Sequence, residues 1–138
     1  EKALGGLKKC KLAVWGLTYK PGTSTLRRSA AIEMIQWWRN RGCDIYASDP
    51  KADRQELAIQ DTFTFHEDPY KAIREVDGLV IVTPWPEYRK ADFLRVKDLM
   101  KGSLIADPNN FLDIHQMTAL GFNYIGVGRG RSLKGDVL

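Results

Sequence analysis

The stretch Leu12-Ala13-Val14-Trp15-Gly16-Leu17-Thr18-Tyr19-Lys20-Pro21-Gly22-Thr23-Ser24-Thr25-Leu26-Arg27-Arg28-Ser29 decides the fold class. Its first four residues are an apolar run that reads as a strand. An apolar stripe at Ala31, Met34, Ile35 and Trp38 follows at helical spacing. Between them stand two glycines, a proline, five Ser and Thr hydroxyls and three cations, with no acid. A strand that exits into a polar loop and re-enters as a helix opens an α/β unit, and such sheets bind ligands outside the carboxyl ends of their strands. The unpaired N–H groups of a first helical turn, and the helix dipole, favour an anion at that place. Lys20, Arg27 and Arg28 would add full charges to the partial one. A solvated basic loop is the competing reading of the same residues.

Working outward, the chain alternates strands and helices. Residues 1–9 read as a lead-in with Gly5-Gly6 as a joint. Lys11 to Trp15 is the first strand, apolar enough to lie centrally in a parallel sheet. Ser29 is the expected N-cap of a helix that ends near Arg41, with Gly42 as its stop. Asp44 to Ser48 is a second strand, and Pro50 holds Asp49 extended and breaks the chain. A short helix is expected from Asp53 to Ile59 and an edge-like strand from Phe63 to Phe65. Asp68 caps a helix that begins with Pro69 and runs to Glu75. Leu79 to Thr83 is a fourth strand, closed by Pro84-Trp85-Pro86. A helix from Asp92 to Met100, a strand from Leu104 to Ala106, a helix capped by Asp113 and stopped at Gly121, and a strand from Tyr124 to Val127 complete the series. Gly128 to Leu138 reads as a Gly-rich basic tail. The order predicts a Rossmann-like, doubly wound, mostly parallel sheet of five to six strands with helices on both faces.

Composition fits one globular domain. The chain has 138 residues, 43% hydrophobic and 28% charged, which suits a packed core rather than disorder. A net charge of +4, with acids and bases mixed along the chain, points towards an anionic ligand without requiring nucleic acid. No run of residues is long and apolar enough to span a bilayer, and no signal peptide opens the chain. Cys10 and Cys43 are too few for a disulfide framework or a structural zinc site, and read as reduced thiols of a cytoplasmic protein. Glu1 at the start predicts a piece of a longer polypeptide.

Four strand exits carry polar residues: Tyr19-Lys20, Asp49-Pro50, Trp85-Pro86-Glu87 and Asp107 to Asn110. The dinucleotide fingerprint of spaced glycines is absent after Gly16, so NAD is disfavoured as the chief ligand and the first loop would hold an anion with side chains. Asp49 stands where a ribose-binding acid ends the second strand of a dinucleotide fold, but without the glycines a turn and cap is the better reading. His66 and His115 are isolated. Cys10, Cys43, Trp37, Trp38 and Trp85 read as packing or interface residues. No nucleophile or acid–base pair is evident, which argues against a complete enzyme.

Gly16-Leu17-Thr18-Tyr19-Lys20-Pro21-Gly22-Thr23, with Arg27 and Ser29, resembles the Gly-Leu-x-aromatic-Lys-Pro-x-Thr-x-x-x-Arg-x-Ser signature of the UDP-glucose/GDP-mannose dehydrogenase family, in its C-terminal UDP-binding domain. Gly42 with Tyr46 to Pro50, Asp68-Pro69-Tyr70 with Ala72, Ile81 to Glu87, and Gly121-Phe122-x-Tyr124-x-Gly126-x-Gly128-Arg129 extend the resemblance from Leu7 to about Arg129.

The resemblance implies residues 10–129 as a nucleotide-sugar-binding domain, after a lead-in at 1–9 and before a flexible tail at 130–138. It implies a three-part enzyme in which an NAD-binding domain and a helical segment precede this one. That enzyme oxidises the C6 alcohol of a UDP-sugar to the carboxylate, through a cysteine matched by neither Cys10 nor Cys43. The fragment alone would be inactive, and the intact protein a homodimer or larger. Tyr19 and Lys20 match the pair that contacts the nucleotide sugar, and a cation-paired diphosphate suits Lys20. Arg27 matches the arginine that reaches the NAD cofactor. Ser24 and Thr25 replace two family acids, Arg28 replaces a Glu, and Pro84 stands where Glu is common. Asn109 replaces the arginine that contacts substrate, losing its charge and fork. A free-standing nucleotide-binding or regulatory module without catalysis is the alternative reading. A basic nucleic-acid-binding domain is the third.

Overall fold

The computed structural model describes residues 9–126 and 130–131. Strands β1 (Lys11–Trp15), β2 (Asp44–Ser48), β3 (Thr64–Phe65), β4 (Gly78–Ile81), β5 (Leu104–Asp107) and β6 (Asn123–Gly126) form one parallel sheet. A two-residue strand, β7 (Gly130–Arg131), adds antiparallel to β6. The spatial order is β3-β2-β1-β4-β5-β6-β7. The chain therefore winds one way from β1 to β3, crosses to β4, and winds the other way. This is the doubly wound arrangement, with its switch point between β1 and β4.

Five helices connect the strands: α1 (Ala30–Arg39), α2 (Arg54–Ala58), α3 (Pro69–Ala72), α4 (Phe93–Leu99) and α5 (Ile114–Ala119). Strand β1 shows why its sequence is a continuous apolar run. Leu12 and Val14 enter one core with Ala31 and Ile35 of α1 and Leu57 of α2. Ala13 and Trp15 enter the other, with Tyr70 of α3, Phe93 and Val96 of α4 and Met117 of α5. Both faces of the sheet are covered, so both faces of a central strand are apolar.

Each of these five helices starts at a side-chain cap. Ser29, Asp53, Asp68, Asp92 and Asp113 all accept a backbone N–H of the first turn. Helix ends follow the backbone rather than the apolar pattern. Helix α1 stops at Arg39, two residues early, and α3 at Ala72 instead of Glu75. Glu75 has φ +60° and gives its N–H to the Leu99 carbonyl, 2.9 Å, outside any helix. Strand β4 stops at Ile81 rather than Thr83, because the Thr83 carbonyl accepts the Trp85 N–H at 2.9 Å and the chain turns away. Pro86–Lys90, to which the sequence assigned no element, is a 3₁₀ helix. Gly130–Arg131 is a strand within the stretch read as tail. Val127, the remaining tail residues and residues 1–8 lie outside the described residues.

Candidate functional site

Strands β2, β1, β4 and β5 are neighbours and parallel, so the four polar exits named from the sequence share the carboxyl edge of the sheet. At the switch point the β1 exit lies pressed against the β4 exit. Gly16 has φ +95°, and a Cβ there would stand 2.4 Å from the Thr83 carbonyl oxygen. Only glycine permits this conformation and this approach together.

The next residues are anchored to Asp49, which is buried at the β2 exit. Its Oδ2 accepts the N–H groups of Leu17 (2.7 Å) and Thr18 (3.0 Å) and the Thr18 hydroxyl (3.0 Å). The Trp85 indole N–H, from the β4 exit, reaches Thr18 Oγ1 at 3.0 Å and Asp49 Oδ2 at 3.2 Å. The Thr83 hydroxyl donates to the Thr18 carbonyl at 2.6 Å. Asp49 Oδ1 accepts the Lys51 N–H at 2.8 Å. Asp49 thus faces inward, closing the turn after β2 and anchoring the β1 exit, the turn reading of the sequence rather than a ribose ligand. Tyr88, stacked on Trp15 with ring centroids 5.0 Å apart, packs beneath. Burial, and then the Asp49 and Glu87 carboxylates, raise its phenol well above the ordinary range, so it stays protonated. Thr83 and Trp85, both buried, thus tie the β4 exit to the β1 exit at the switch point.

Beyond Thr18 the loop turns outward. Tyr19 is 48% exposed and Lys20 is exposed. The Tyr19 N–H donates to the Thr25 carbonyl at 2.9 Å, and the Thr23 hydroxyl to the Lys20 carbonyl at 2.8 Å, closing a tight turn. Among the described residues, the Lys20 ammonium has no ion-pair or hydrogen-bond partner.

Arg27 lies on the same loop, fully reachable by solvent, with its Nε 4.0 Å from Glu56 Oε1. Such an exposed pair holds the side chain only weakly. Glu56 itself is well fixed, since Oε1 also accepts the Thr25 hydroxyl at 3.0 Å and the Leu26 N–H at 3.2 Å. A loop that contains no acid thus receives one from α2. The Ser29 hydroxyl is spent on the Ala31 N–H at 3.1 Å.

Asn109 is exposed at the β5 exit, and its amide Nδ2 donates to the Val82 carbonyl at 2.7 Å, tying the β5 and β4 exits together. Asp107, fully buried behind it, accepts the Tyr124 hydroxyl and the Leu112 N–H, each at 2.7 Å, and so shapes the exit turn. Tyr19, Lys20 and Asn109 therefore stand on one edge, while Arg27 leans towards α2.

The cysteines lie at the opposite end of the sheet. Cys43 is pushed up to about 11 by burial first, then by Cys10 and Asp44, which suits a packed thiol and not a nucleophile. His66 stacks on Tyr46 at 6.3 Å.

Sequence reasoning gave no role to Thr18, Thr83 or Glu56, and read Trp85 as packing bulk at a polar strand exit. Their partners are 30 to 67 residues away, so no local pattern announces them.

The model of the UDP-glucose/GDP-mannose dehydrogenase family, UDP binding domain, matches residues 13–114. The UDP-glucose 6-dehydrogenase of Rhizobium meliloti is 36% identical over 125 residues, covering 91% of this chain and 29% of that protein. The UDP-glucose 6-dehydrogenase of Pseudomonas aeruginosa is 34% identical over 127 residues, covering 88% of this chain and 28% of that protein. Among solved structures, a UDP-glucose dehydrogenase from Pyrobaculum islandicum matches with TM-score 0.63 and 31% identity, over 77% of this chain and 25% of that one. The UDP-D-ManNAc dehydrogenase of Pyrococcus horikoshii matches with TM-score 0.77 and 27% identity, over 94% of this chain and 29% of that one. The chain thus spans less than a third of the length of these relatives. The family match and these relatives agree: the chain belongs to the UDP-glucose/GDP-mannose dehydrogenase family, as its UDP binding domain.

Proposed function

We propose that this chain is the substrate-nucleotide-binding domain of an NAD-dependent nucleotide-sugar 6-dehydrogenase, which oxidises the C6 alcohol of UDP-glucose or a related UDP-sugar to the carboxylate. The observation that carries the reading is the Lys20 ammonium, unpaired among the described residues and presented beside exposed Tyr19 on a loop anchored at the switch point. Lys20 pairs with the diphosphate, and Tyr19 packs on the base or sugar. Asn109 offers a neutral hydrogen-bonding group from the β5 exit, where a charged fork would bind an anion more tightly.

NAD supplies the hydride acceptor. The absence of spaced glycines after Gly16 supports its being held mainly by the part of the enzyme outside this chain, with the exposed Arg27 as this domain's contact to it. The domain alone is inactive, and the intact enzyme works in the cytoplasm as a homodimer or larger assembly.

Calorimetric titration of the intact polypeptide with UDP, UDP-glucose and GDP-mannose tests the reading. UDP and UDP-glucose should bind, and Lys20→Ala should weaken both by about tenfold or more, as expected for loss of a charge-assisted contact. Equal UDP binding by wild type and variant would remove Lys20 from the site. Preference for GDP-mannose would change the substrate. UDP binding without any NAD-dependent oxidation of a UDP-sugar would favour a nucleotide-binding module without catalysis.

A further inference from the structure

We propose that Asp49 and Trp85, acting through Thr18, are positioning residues for Lys20. The inference rests on the reading of Lys20 as the cation that meets the diphosphate. The starting observation is that Asp49 makes more bonds than a turn requires. Closing the turn after β2 uses Oδ1 alone, with the Lys51 N–H at 2.8 Å. Oδ2 in addition gathers Leu17 N–H, Thr18 N–H, the Thr18 hydroxyl and the Trp85 indole N–H, between 2.7 and 3.2 Å. These donors belong to the exits of two other strands, β1 and β4. A buried carboxylate with several charge-assisted bonds is a stiff junction, because each bond is strengthened by the low local dielectric and each would be costly to leave unmade.

Thr18 is the centre of that junction. Its N–H and hydroxyl go to Asp49, its hydroxyl oxygen receives the Trp85 indole, and its carbonyl receives the Thr83 hydroxyl. Every polar group of the residue is committed, and it is buried. The next residue, Tyr19, already faces solvent, and the one after is Lys20. The short turn closed by Tyr19 N–H to Thr25 carbonyl and Thr23 hydroxyl to Lys20 carbonyl completes the frame. The backbone that carries Lys20 is thus ordered when the domain folds, not when the ligand arrives. That lowers the ordering cost of binding and fixes where the ammonium can reach. Trp85 is itself buried, and its N–H completes the Asp49 junction.

A purely structural weld would look different in solution. It would lower thermal stability and leave nucleotide affinity alone. The discriminating experiment uses the intact polypeptide with Thr18→Val, which removes the hydroxyl at nearly constant shape, Thr18→Ser, which keeps it, and Trp85→Phe, which keeps a ring and removes the N–H. Asp49→Asn is a harsher fourth variant. For each, the Kd for UDP, the KM for UDP-glucose and for NAD, and Tm are measured, alone and combined with Lys20→Ala. Thr18→Val and Trp85→Phe should weaken UDP binding by about 3- to 30-fold, raising the KM for UDP-glucose and not that for NAD. Thr18→Ser should restore UDP affinity to within about twofold. On the Lys20→Ala background the Thr18 and Trp85 effects should largely vanish, the non-additivity expected of residues that act through one another. Unchanged UDP affinity in folded Thr18→Val and Trp85→Phe, or losses fully additive with Lys20→Ala, would overturn the positioning role while leaving the Lys20 reading intact. If Lys20→Ala itself leaves UDP binding unchanged, Lys20 is removed from the site and this inference fails with it.

Discussion

Gly16 shows how one residue sets the geometry of the edge. Its φ of +95° lies in the left-handed region, and a Cβ would stand 2.4 Å from the Thr83 carbonyl oxygen and 2.6 Å from the Thr83 nitrogen. Backbone cannot retreat as a flexible side-chain tip can. Gly16→Ala should therefore destabilise the fold by about 2–4 kcal/mol, through strain and overpacking together, read as a lower denaturant midpoint with the slope unchanged. The glycine was visible in the sequence as the first residue after a strand, but its partner was not. Asp49 is the complementary case. The sequence offered two roles for it, and the absence of spaced glycines favoured the turn. The structure agrees, and adds the bonds to Leu17, Thr18 and Trp85 that no local pattern encodes.

At the scale of elements, starts were more legible than ends. A helix start is marked by a capping side chain that acts within three residues, and Ser29, Asp68 and Asp113 were readable for that reason. Ser29→Ala should cost about 1 kcal/mol by leaving the Ala31 N–H without its acceptor, detectable by chemical denaturation. A helix end depends on where the chain must go next. Helix α3 ends at Ala72 because Glu75 turns into the left-handed region and spends its N–H on Leu99 of another element. Strand β4 ends early for the same kind of reason, since Thr83 is drawn to Thr18. The apolar pattern of both segments runs on past these points, so it overstates their length.

The whole molecule carries the linkage between pH and stability. Cys43 sits in the core shared by β1, β2 and α1, and burial, ahead of Cys10 and Asp44, pushes its thiol up to about 11. In the unfolded chain the thiol loses its proton near 9.0, below the folded value. The unfolded state thus binds fewer protons between these values. The stabilisation is complete below about pH 9 and is lost as pH rises towards 11. Its size is up to about 2–3 kcal/mol. Wild type should lose more stability than Cys43→Ala between about pH 8 and about pH 10.5, measured by denaturant unfolding at each pH. Equal losses in the two proteins would mean that the folded thiol titrates as it does in the unfolded chain.

The sequence by itself determined the sheet's composition, the alternation of strands and helices, and the family. Those are local or linear properties: apolar runs, caps, breakers and an ordered signature from Gly16 to Ser29. It also placed Tyr19, Lys20 and Asn109 on strand exits, because exits are marked by polar residues after apolar runs. Tertiary structure alone decided which exits meet. The order β2-β1-β4-β5 brings together residues more than sixty positions apart, and the contacts they make depend on distances that sequence spacing does not contain. For that reason the Trp85 indole meets Thr18 and Asp49 at the switch point. For the same reason Glu56 supplies the acid that the Thr23 to Arg28 stretch lacks, and Lys20 stands on a loop anchored by buried bonds and faces solvent without a described partner.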